Sequence, residues 1–458
     1  MTGTTVWHGY QATWEMARGY PGAFGHSLNL PYVFLPICAL FLVGLLDWRR
    51  PWRVASLDLL VLLGFGVSNF FFNRAEIGAS VPLQYPVLVY LLARALWIGL
   101  RGRGEGIRPV WPASWLLIAA LFLIGFRAGL DVADSGVIDV GYAGVVGADR
   151  ISHGEPLYGN FPKDVSQGDT YGPVSYLAYV PFEAVWPWHG RWDDLPAAHA
   201  AALFFDLATF GLLILLGLRI RPGPPGRKLA ATLAFGWAAY PYTAYALESN
   251  SNDTLVAALL VATLLVLARP AARGATLALA TFTKFAPLAL APMLVTYKRG
   301  WPAGPVAGVG CPPGAAICSG QRDGVGIRDE ALPSADSAQA EDTPPRHHPR
   351  ERRRGWTSIG PSAGAIAVFT LAFLGVSALV MLWPAIDPGL GTFWQRTIVY
   401  QANRESPFSI WGQVPSLEPL RIAILAGTGL SAIAFAFFPR RKNLVQVAAL
   451  SATLLIGL

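Results

Sequence analysis

The stretch AAHAAALFFDLATFGLLILLGLRIRPGPPGRK, residues 197–228, decides the fold class. It begins with an apolar block of about 20 residues, the length that an α-helix needs to cross roughly 30 Å of hydrocarbon. The block ends in RIRPGPPGRK, residues 219–228, a basic turn of the kind that is enriched in the cytoplasmic loops of membrane proteins. We therefore predict a transmembrane helix that ends at a cytoplasmic loop.

The composition of the whole chain agrees with this interpretation. Of its 458 residues, 53% are hydrophobic and only 14% are charged, whereas soluble domains carry about 25% charged residues. The net charge of +7 is modest and does not indicate a nucleic-acid partner. The three cysteines give neither a disulfide framework nor a zinc spacing. No histidine pair apart from the adjacent His347 and His348 has metal-ligand spacing, so we predict no protein-bound metal cluster, and we expect no cofactor. The first 30 residues lack the features of a cleaved signal peptide.

Apolar blocks of similar length recur along the chain and predict an all-α, polytopic integral membrane protein of about 10–12 transmembrane helices. Two further regions are ambiguous, and the parity of the basic loops decides their topology. Residues 173–187, with three prolines, are predicted to be interfacial or re-entrant. Residues 274–297 are predicted to form a hairpin of two short arms hinged near Lys284. The candidate spans are 32–47, 56–72, 83–100, 111–128, 197–217, 229–247, 253–268, 360–383, 420–438 and 444–458.

This topology divides the chain into five regions. Residues 298–356 are rich in Gly, Pro, Ala and charge and show no apolar periodicity, which predicts a disordered cytoplasmic loop. The other regions are N-terminal transmembrane helices at 1–128, a first large external loop with interfacial helices at 129–196, transmembrane helices and the hairpin at 197–297, and C-terminal transmembrane helices at 357–458 that enclose an external loop at 384–419.

Two loops on the predicted external face carry ionisable residues. Residues 129–172 form the acidic loop, in which the only bases are Arg150 and Lys163. Residues 384–419 form the arginine loop, which holds Arg396 and Arg404 on the side where basic residues are depleted. We predict that the two loops form one polar site at the membrane surface. The acids of the first loop are Asp131, Asp134, Asp139, Asp149, Glu155, Asp164 and Asp169.

A short helix is predicted within the acidic loop, from Val140 to Ile151. Asp139 then occupies the N-cap position, where a carboxylate accepts backbone N–H bonds. Tyr142 and Arg150 fall on one face of this helix at helical spacing, and HGEPLYG supplies turn residues that end it. Asp139 is therefore either a helix cap alone or a cap that also faces a substrate.

The residue order in this loop resembles that of a known family. From Asp139 to Tyr158 the chain presents an acid, an aromatic residue, a short helix of small residues, and then HG and LY. This order resembles the first external loop of GT-C glycosyltransferases, in particular the polyprenol-phosphate-mannose-dependent transferases of glycosyltransferase family 87. GDTYGPVSYLAYVPFE at 168–183 and TKFAPLALAP at 283–292 resemble the same group. The resemblance covers about 110–440; three helices before it and the 298–356 insertion depart from the family pattern.

The resemblance implies a GT-C-like membrane glycosyltransferase with an extracytoplasmic active site. The donor would be a mannose-like sugar on a polyprenyl phosphate, and the acceptor a glycolipid or glycan of the cell envelope, with inversion at the sugar carbon. Asp139 fits the general base that the acceptor hydroxyl needs; Asp134 or Asp131 would take that role in another register, and a structural role for all three remains open. The cations that would bind the donor phosphate are Arg404, Arg396 and Lys284.

Further polar residues are candidates for substrate binding. Glu248, Asn252 and Asp253 lie in ALESNSNDTL, at the predicted outer mouth between two spans, where ionisable groups are costly and often functional. The alternative is a solvated loop in which Asp253 caps the next helix. The pattern around Asp169 predicts either a turn or a substrate contact. The candidates are Tyr142, Arg150, Tyr158, Asp169, Tyr171, Glu248, Asn252 and Asp253.

Two lone acids lie within predicted spans. Asp58, near a cytoplasmic end, is predicted to be a helix cap. Asp206 lies deeper, where a charge is costly unless it is paired, and is predicted to pair with another helix.

Two other functions fit the same composition. One is a lipid or glycan transporter or flippase, although such proteins usually show internal repeats and none is evident in this sequence. The other is a non-catalytic membrane assembly partner with the same fold. Retention of Asp139 together with Arg404 favours the enzyme.

Overall fold

The regular structure of the described chain is helical. The computed structural model describes residues 31–73, 76–102, 106–298, 363–403, 406 and 408–458, and no strand occurs in those ranges. The all-α class predicted from the apolar blocks is therefore confirmed. Arg404 lies outside the described residues, and so does the predicted disordered loop from residue 299 onward.

The helices are numbered in chain order. The first eight are α1 Pro31–Leu45, α2 Val54–Leu63, α3 Phe65–Asn73, α4 Ile77–Arg101, α5 Ala113–Asp134, α6 Asp139–His153, α7 Pro173–Leu177 and α8 Val180–Glu183. The next six are α9 Pro196–Ile220, α10 Gly223–Ala239, α11 Pro241–Glu248, α12 Asp253–Leu265, α13 Pro270–Thr281 and α14 Ala291–Val295. The last six are α15 Ala363–Pro384, α16 Leu390–Trp394, α17 Tyr400–Asn403, α18 Ile410–Gln413, α19 Glu418–Phe437 and α20 Leu444–Gly457.

Six helices in the described ranges are long and apolar enough to cross a membrane. The predicted count of 10–12 spans is therefore only partly confirmed, because several predicted spans are helices of 10–17 residues. The predicted span 229–247 is divided between α10 and α11 at Pro241, whose ring removes a backbone donor and begins the next helix. The six are Val54–Phe72, Ile77–Arg101, Ala113–Asp134, Pro196–Ile220, Ala363–Asn403 and Pro415–Phe437.

Small residues let the helices pack closely. A Cβ on Gly217 of α9 would lie 2.5 Å from the Cα of Ala230 in α10, and one on Gly274 of α13 would lie 2.4 Å from the carbonyl oxygen of Phe369 in α15. Close backbone approach of this kind is how helices associate where no water drives their packing. The outer face of α15 remains apolar, with Leu371 and Leu379 about 70% exposed, as expected of a surface in contact with lipid.

The two ambiguous apolar regions do not form long helices. Residues 173–187 contain only the short α7 and α8. The chain from Pro270 to Tyr297 runs out along α13, turns at 282–285, and returns through a 3₁₀ turn and α14. Its two ends meet, because the Arg273 guanidinium lies 5.2 Å from the centre of the Tyr297 ring. The structure thus forms the hairpin hinged near Lys284 that the sequence predicts, with its first arm beginning at Pro270 rather than 274.

The two lone acids in the apolar helices both bind arginines. Asp206 accepts a 2.9 Å hydrogen bond from Nη2 of Arg127 in α5, and both side chains are almost fully buried. The predicted pairing of Asp206 with another helix is therefore confirmed. The prediction that Asp58 caps a helix is wrong, because Asp58 lies in the second turn of α2. Its carboxylate accepts two 2.8 Å hydrogen bonds from Arg94 of α4. Unlike a cap, it joins two helices.

Candidate functional site

The helix that carries Asp139 begins one residue earlier than predicted. Ile138 occupies the N-cap position with extended backbone, and Asp139 is the first helical residue. The N-cap prediction for Asp139 is therefore wrong by one position. Its carboxylate is exposed and its Oδ1 accepts a 2.9 Å bond from the Val140 amide. A negative charge in the first turn still interacts favourably with the helix dipole, so Asp139 stabilises α6 while facing solvent.

The N-terminus of α6 packs against the loop between α11 and α12. The Ile138 amide donates to the Ser249 carbonyl at 3.2 Å, and the Asn250 side chain donates to the Gly136 carbonyl at 3.3 Å. Gly141 makes this contact possible, because a Cβ there would lie 2.1 Å from the Asn250 carbonyl oxygen. The backbone on both sides of Asp139 is thus fixed to the SNSND segment.

Replacing Gly141 with Ala tests this packing. We expect the free energy of unfolding to fall by about 1–3 kcal/mol, because the added methyl group forces two backbones apart. Thermal unfolding of the detergent-purified protein would measure the loss. Gly125→Ala in α5 is the matched control, because a Cβ added there would meet nothing within 4 Å and alanine favours a helix. Equal stability of the two variants would contradict the close approach.

Lys284 at the turn of the hairpin pairs with Asp253, the first residue of α12. Its ammonium donates to Oδ1 of Asp253 and lies 5.6 Å from the centre of the Tyr171 ring. Asp253 also accepts a 2.9 Å bond from the Ser251 hydroxyl. The ion pair is partly exposed, with 29% of the Lys284 side chain accessible. Lys284, predicted to be the hinge of the hairpin and a phosphate-binding cation, thus has a carboxylate partner and still reaches the surface.

The predicted arginine loop is helical in its first part, because the helical run that begins at Ala363 continues to Asn403 and places Arg396 in the π-helical turn Gln395–Val399. Asp169 of the acidic loop pairs with this Arg396. Arg396 donates from Nε at 2.7 Å and from Nη2 at 2.6 Å to the two carboxylate oxygens. The Gly159 amide adds a 2.6 Å bond to the same carboxylate. Asp169 is fully buried, whereas a third of the Arg396 side chain is exposed. A bidentate pair fixes the orientation of the guanidinium plane and is stronger than a single hydrogen bond. The pair therefore fixes the position of the acidic loop relative to the arginine loop.

The two ion pairs lie on one continuous surface with α6. Tyr158, which follows α6 in the acidic loop, donates to the Tyr171 carbonyl at 3.0 Å, and the Tyr171 ring lies under Lys284. The Phe285 ring next to Lys284 packs at 6.2 Å on the Phe393 ring of the arginine loop. These contacts connect the Arg396 and Lys284 ion pairs, and the segment that holds Asp139 joins them through the SNSND loop, which ends at Asp253, the partner of Lys284. We call the surface that contains the Asp253–Lys284 and Asp169–Arg396 pairs and the N-terminus of α6 the polar face.

Three candidates form the wall under the polar face. Tyr142 and Tyr158 are fully buried, and burial raises the pKa of the Tyr158 hydroxyl well above its usual range. Tyr142 donates to Asp164 at 3.1 Å, and Arg150 donates to Glu155 at 3.2 Å and to a loop carbonyl. Each of these side chains has a partner within the acidic loop and helps to position it.

Buried polar atoms lie beside the Asp253–Lys284 pair. Asn252 donates to the Ser175 hydroxyl at 3.0 Å, but its Oδ1 accepts no bond from the described residues. The hydroxyls of Tyr179 and Thr254 likewise have no partner in that part of the chain. All three side chains are at least 98% buried, and Glu248 is buried close by in sequence. Buried polar groups normally have partners, so this cluster is suited to water or to the hydroxyls of a ligand.

The sequence reasoning missed a second network under the polar face. Ser135 donates to Asp131 at 3.0 Å and lies 3.2 Å from Nδ1 of His199. Asn250 donates to the Ser135 hydroxyl at 2.8 Å. The role of Arg127 as the partner of Asp206 was also not predicted. The sequence does hold a signal for it, because an arginine inside an apolar block usually has a function or a partner. Both networks link α5 to α9, and the Ser135 network also reaches Asn250, which binds the loop that holds Asp139.

Within the described ranges, no three or more His, Cys, Asp or Glu side chains converge as a metal site. Comparisons of this sequence with models of known families and with curated proteins give no match. A comparison with solved structures likewise finds none.

Proposed function

We propose that this protein is a membrane glycosyltransferase that uses a sugar linked to a polyprenyl phosphate. The acceptor is a glycolipid or glycan of the cell envelope, and the reaction takes place on the extracytoplasmic side. The helices long enough to cross a membrane support the membrane setting. The resemblance of the acidic loop to GT-C transferases supports the reaction class, and a mannose-like sugar follows from that resemblance.

The observation that carries this proposal is the Arg396–Asp169 pair. It joins two loops that are 227 residues apart and leaves Nη1 of Arg396 without a partner among the described residues. A guanidinium held in this way offers a fixed donor to a phosphate oxygen. Lys284 provides a second cation on the same face. A donor whose lipid chain stays in the bilayer keeps its phosphate at headgroup depth, where Arg396 and Lys284 are proposed to bind it.

Asp139 is the proposed general base. Its exposed carboxylate would take the proton of the acceptor hydroxyl as that oxygen attacks the sugar carbon. The bond between that carbon and the phosphate oxygen breaks in the same step, and the polyprenyl phosphate leaves with the electron pair. Arg396 and Lys284 would stabilise the charge that develops on the leaving group. One base and direct displacement imply inversion at the sugar carbon.

The buried oxygen atoms of Asn252, Tyr179 and Thr254 are the proposed contacts for sugar hydroxyls. A sugar can donate to an amide oxygen and exchange bonds with both hydroxyls. These atoms are shielded from bulk solvent. Hydrogen bonds between them and a bound sugar would therefore be electrostatically stronger than the same bonds in water.

A turnover assay tests the proposal. Purified protein in vesicles would be given polyprenyl-phosphate mannose and a lipid extract from a bacterial envelope. We expect release of polyprenyl phosphate that depends on the acceptor extract, together with a new mannosylated lipid. Movement of the intact donor across the vesicle bilayer without release would favour the flippase instead. If the protein shows no turnover and no donor movement with any of several polyprenyl-phosphate sugars, the enzyme proposal is contradicted.

A further inference from the structure

Two buried cations lie at the other end of α13 from Lys284. Arg273, in the first turn of α13, is 2% exposed, and Lys442, in the loop between α19 and α20, is 1% exposed. They flank one short segment, because the Arg273 guanidinium lies over the Tyr297 ring and the Lys442 amide donates to the carbonyl of the next residue, Lys298, at 3.2 Å. Arg273, through its guanidinium, and Lys442, through its backbone, therefore both contact residues 297–298.

The polar contacts of Arg273 use only part of its donor capacity. Nη1 donates to the Leu267 carbonyl, and Nε is buried without a partner among the described residues. The rings of Tyr297 and Phe369 lie 5.2 and 5.4 Å from the guanidinium carbon. Since a guanidinium has five N–H donors, most of them remain available.

Lys442 is similarly under-used. Its ammonium donates one 2.7 Å bond, to the Pro439 carbonyl, and an ammonium has three donors. Burial lowers the pKa of Lys442 to about 8, which means that its surroundings in this structure do not favour the charged form. An anion beside it would reverse that effect.

Neither cation has an acidic partner within the described part of the chain. The ion pairs formed there include neither Arg273 nor Lys442. Lysine and arginine are almost never fully buried unless they are paired. The two aromatic rings offset part of the cost for Arg273 but bring no negative charge. The two side chains together have the composition of an anion site.

We propose that Arg273 and Lys442 bind the phosphate group of an anionic lipid headgroup. Arg273 would contribute a fork of donors to two phosphate oxygens, and Lys442 a compact charge to a third. The site is separate from the polar face and does not depend on the proposed enzyme activity.

The position of the site favours a lipid as the source of the phosphate. Phe369 lies six residues into the described part of α15, which is about 9 Å from its start at 1.5 Å per residue. α15 is the most apolar of the membrane-length helices, so its ends lie near headgroup depth. Leu371 and Leu374 of the same helix are exposed and offer an apolar surface to acyl chains. Basic sites between helices at this depth bind anionic headgroups.

Thermal unfolding in nanodiscs tests the proposal. We expect the Tm of the wild-type protein to rise by about 2–4 °C when phosphatidylglycerol is added to phosphatidylcholine, because a ligand that binds only the folded state stabilises it. Lys442→Met and Arg273→Met should lose this gain. Lys442→Met should still fold in phosphatidylcholine, since replacing an unpaired buried charge by an apolar side chain is tolerated.

Neighbouring exposed cations provide matched controls. Arg441→Gln and Arg269→Gln remove the same charge one and four residues away, from exposed positions, and should keep the gain in Tm. A second arm adds potassium phosphate in neutral detergent against potassium chloride at equal ionic strength. A gain there would identify free phosphate as a ligand, and a gain with lipid alone would identify the headgroup. No gain in either arm, or the same gain in Lys442→Met as in Arg441→Gln, would overturn the proposal.

Discussion

Replacing Asp139 with Asn is expected to lower sugar transfer by about 100- to 10,000-fold. Removal of a positioned general base costs this much, because the acceptor hydroxyl must then lose its proton to water. Asparagine keeps the shape of the side chain and an oxygen that can accept the Val140 amide bond, so α6 should still form. The rate of polyprenyl phosphate release under saturating donor and acceptor measures the effect.

Asp134→Asn is the control for this variant. Asp134 lies five residues earlier, at the last residue of α5, and is also exposed, so both variants remove one surface carboxylate from the same loop. We expect Asp134→Asn to retain most of the wild-type rate. Full activity of Asp139→Asn would exclude Asp139 as the base, and a loss confined to Asp134→Asn would move that role to Asp134.

Replacing Arg127 with Met should destabilise the protein by about 3–5 kcal/mol, the cost of leaving one partner of a buried ion pair without the other. Arg127 donates to Asp206 at 2.9 Å, to the Thr243 hydroxyl at 3.1 Å and to the Trp237 carbonyl at 3.2 Å. After the substitution, the only hydrogen-bond donor that Asp206 would keep within the described residues is the Trp237 indole N–H. Equilibrium unfolding in mixed micelles measures the change in free energy.

Two further variants separate the ion pair from simple packing. Arg127→Met combined with Asp206→Leu should recover much of the loss, because both charges are then removed from the helix interface. Arg94→Met breaks the Arg94–Asp58 pair, whose side chains are 20% and 25% exposed, and should cost only about 1 kcal/mol. A double variant as unstable as the single one would show that shape, not charge, decides the effect.

Local patterns predicted those features that depend on nearby residues. Apolar block length predicted a helical membrane protein, and the parity of the basic loops predicted a hairpin at Lys284. A lone acid in an apolar block correctly predicted a partner for Asp206, because an unpaired charge there is too costly to keep. Each of these inferences rests on a free-energy cost, such as that of burying an unpaired charge, which can be judged without knowing which residue is the partner in the folded protein.

Features that depend on distant partners could not be predicted. Nothing in the sequence indicates that Asp169 binds Arg396, because the pairing depends on how two loops meet. Asp58 was assigned as a cap for the same reason: its partner Arg94 lies 36 residues away. The start of α6 at Asp139 rather than Val140 is a smaller error, typical of helix ends.

A structure of the protein with a bound polyprenyl-phosphate sugar tests the central claim most directly. In the proposed mechanism, one site on the polar face combines Asp139 with the cations Arg396 and Lys284. We predict a phosphate oxygen within about 3.2 Å of Nη1 of Arg396, and a sugar carbon placed so that an acceptor hydroxyl fits between it and Asp139. A donor bound elsewhere, or an Asp139 carboxylate too far away for a hydrogen bond or one bridging water, would contradict the claim.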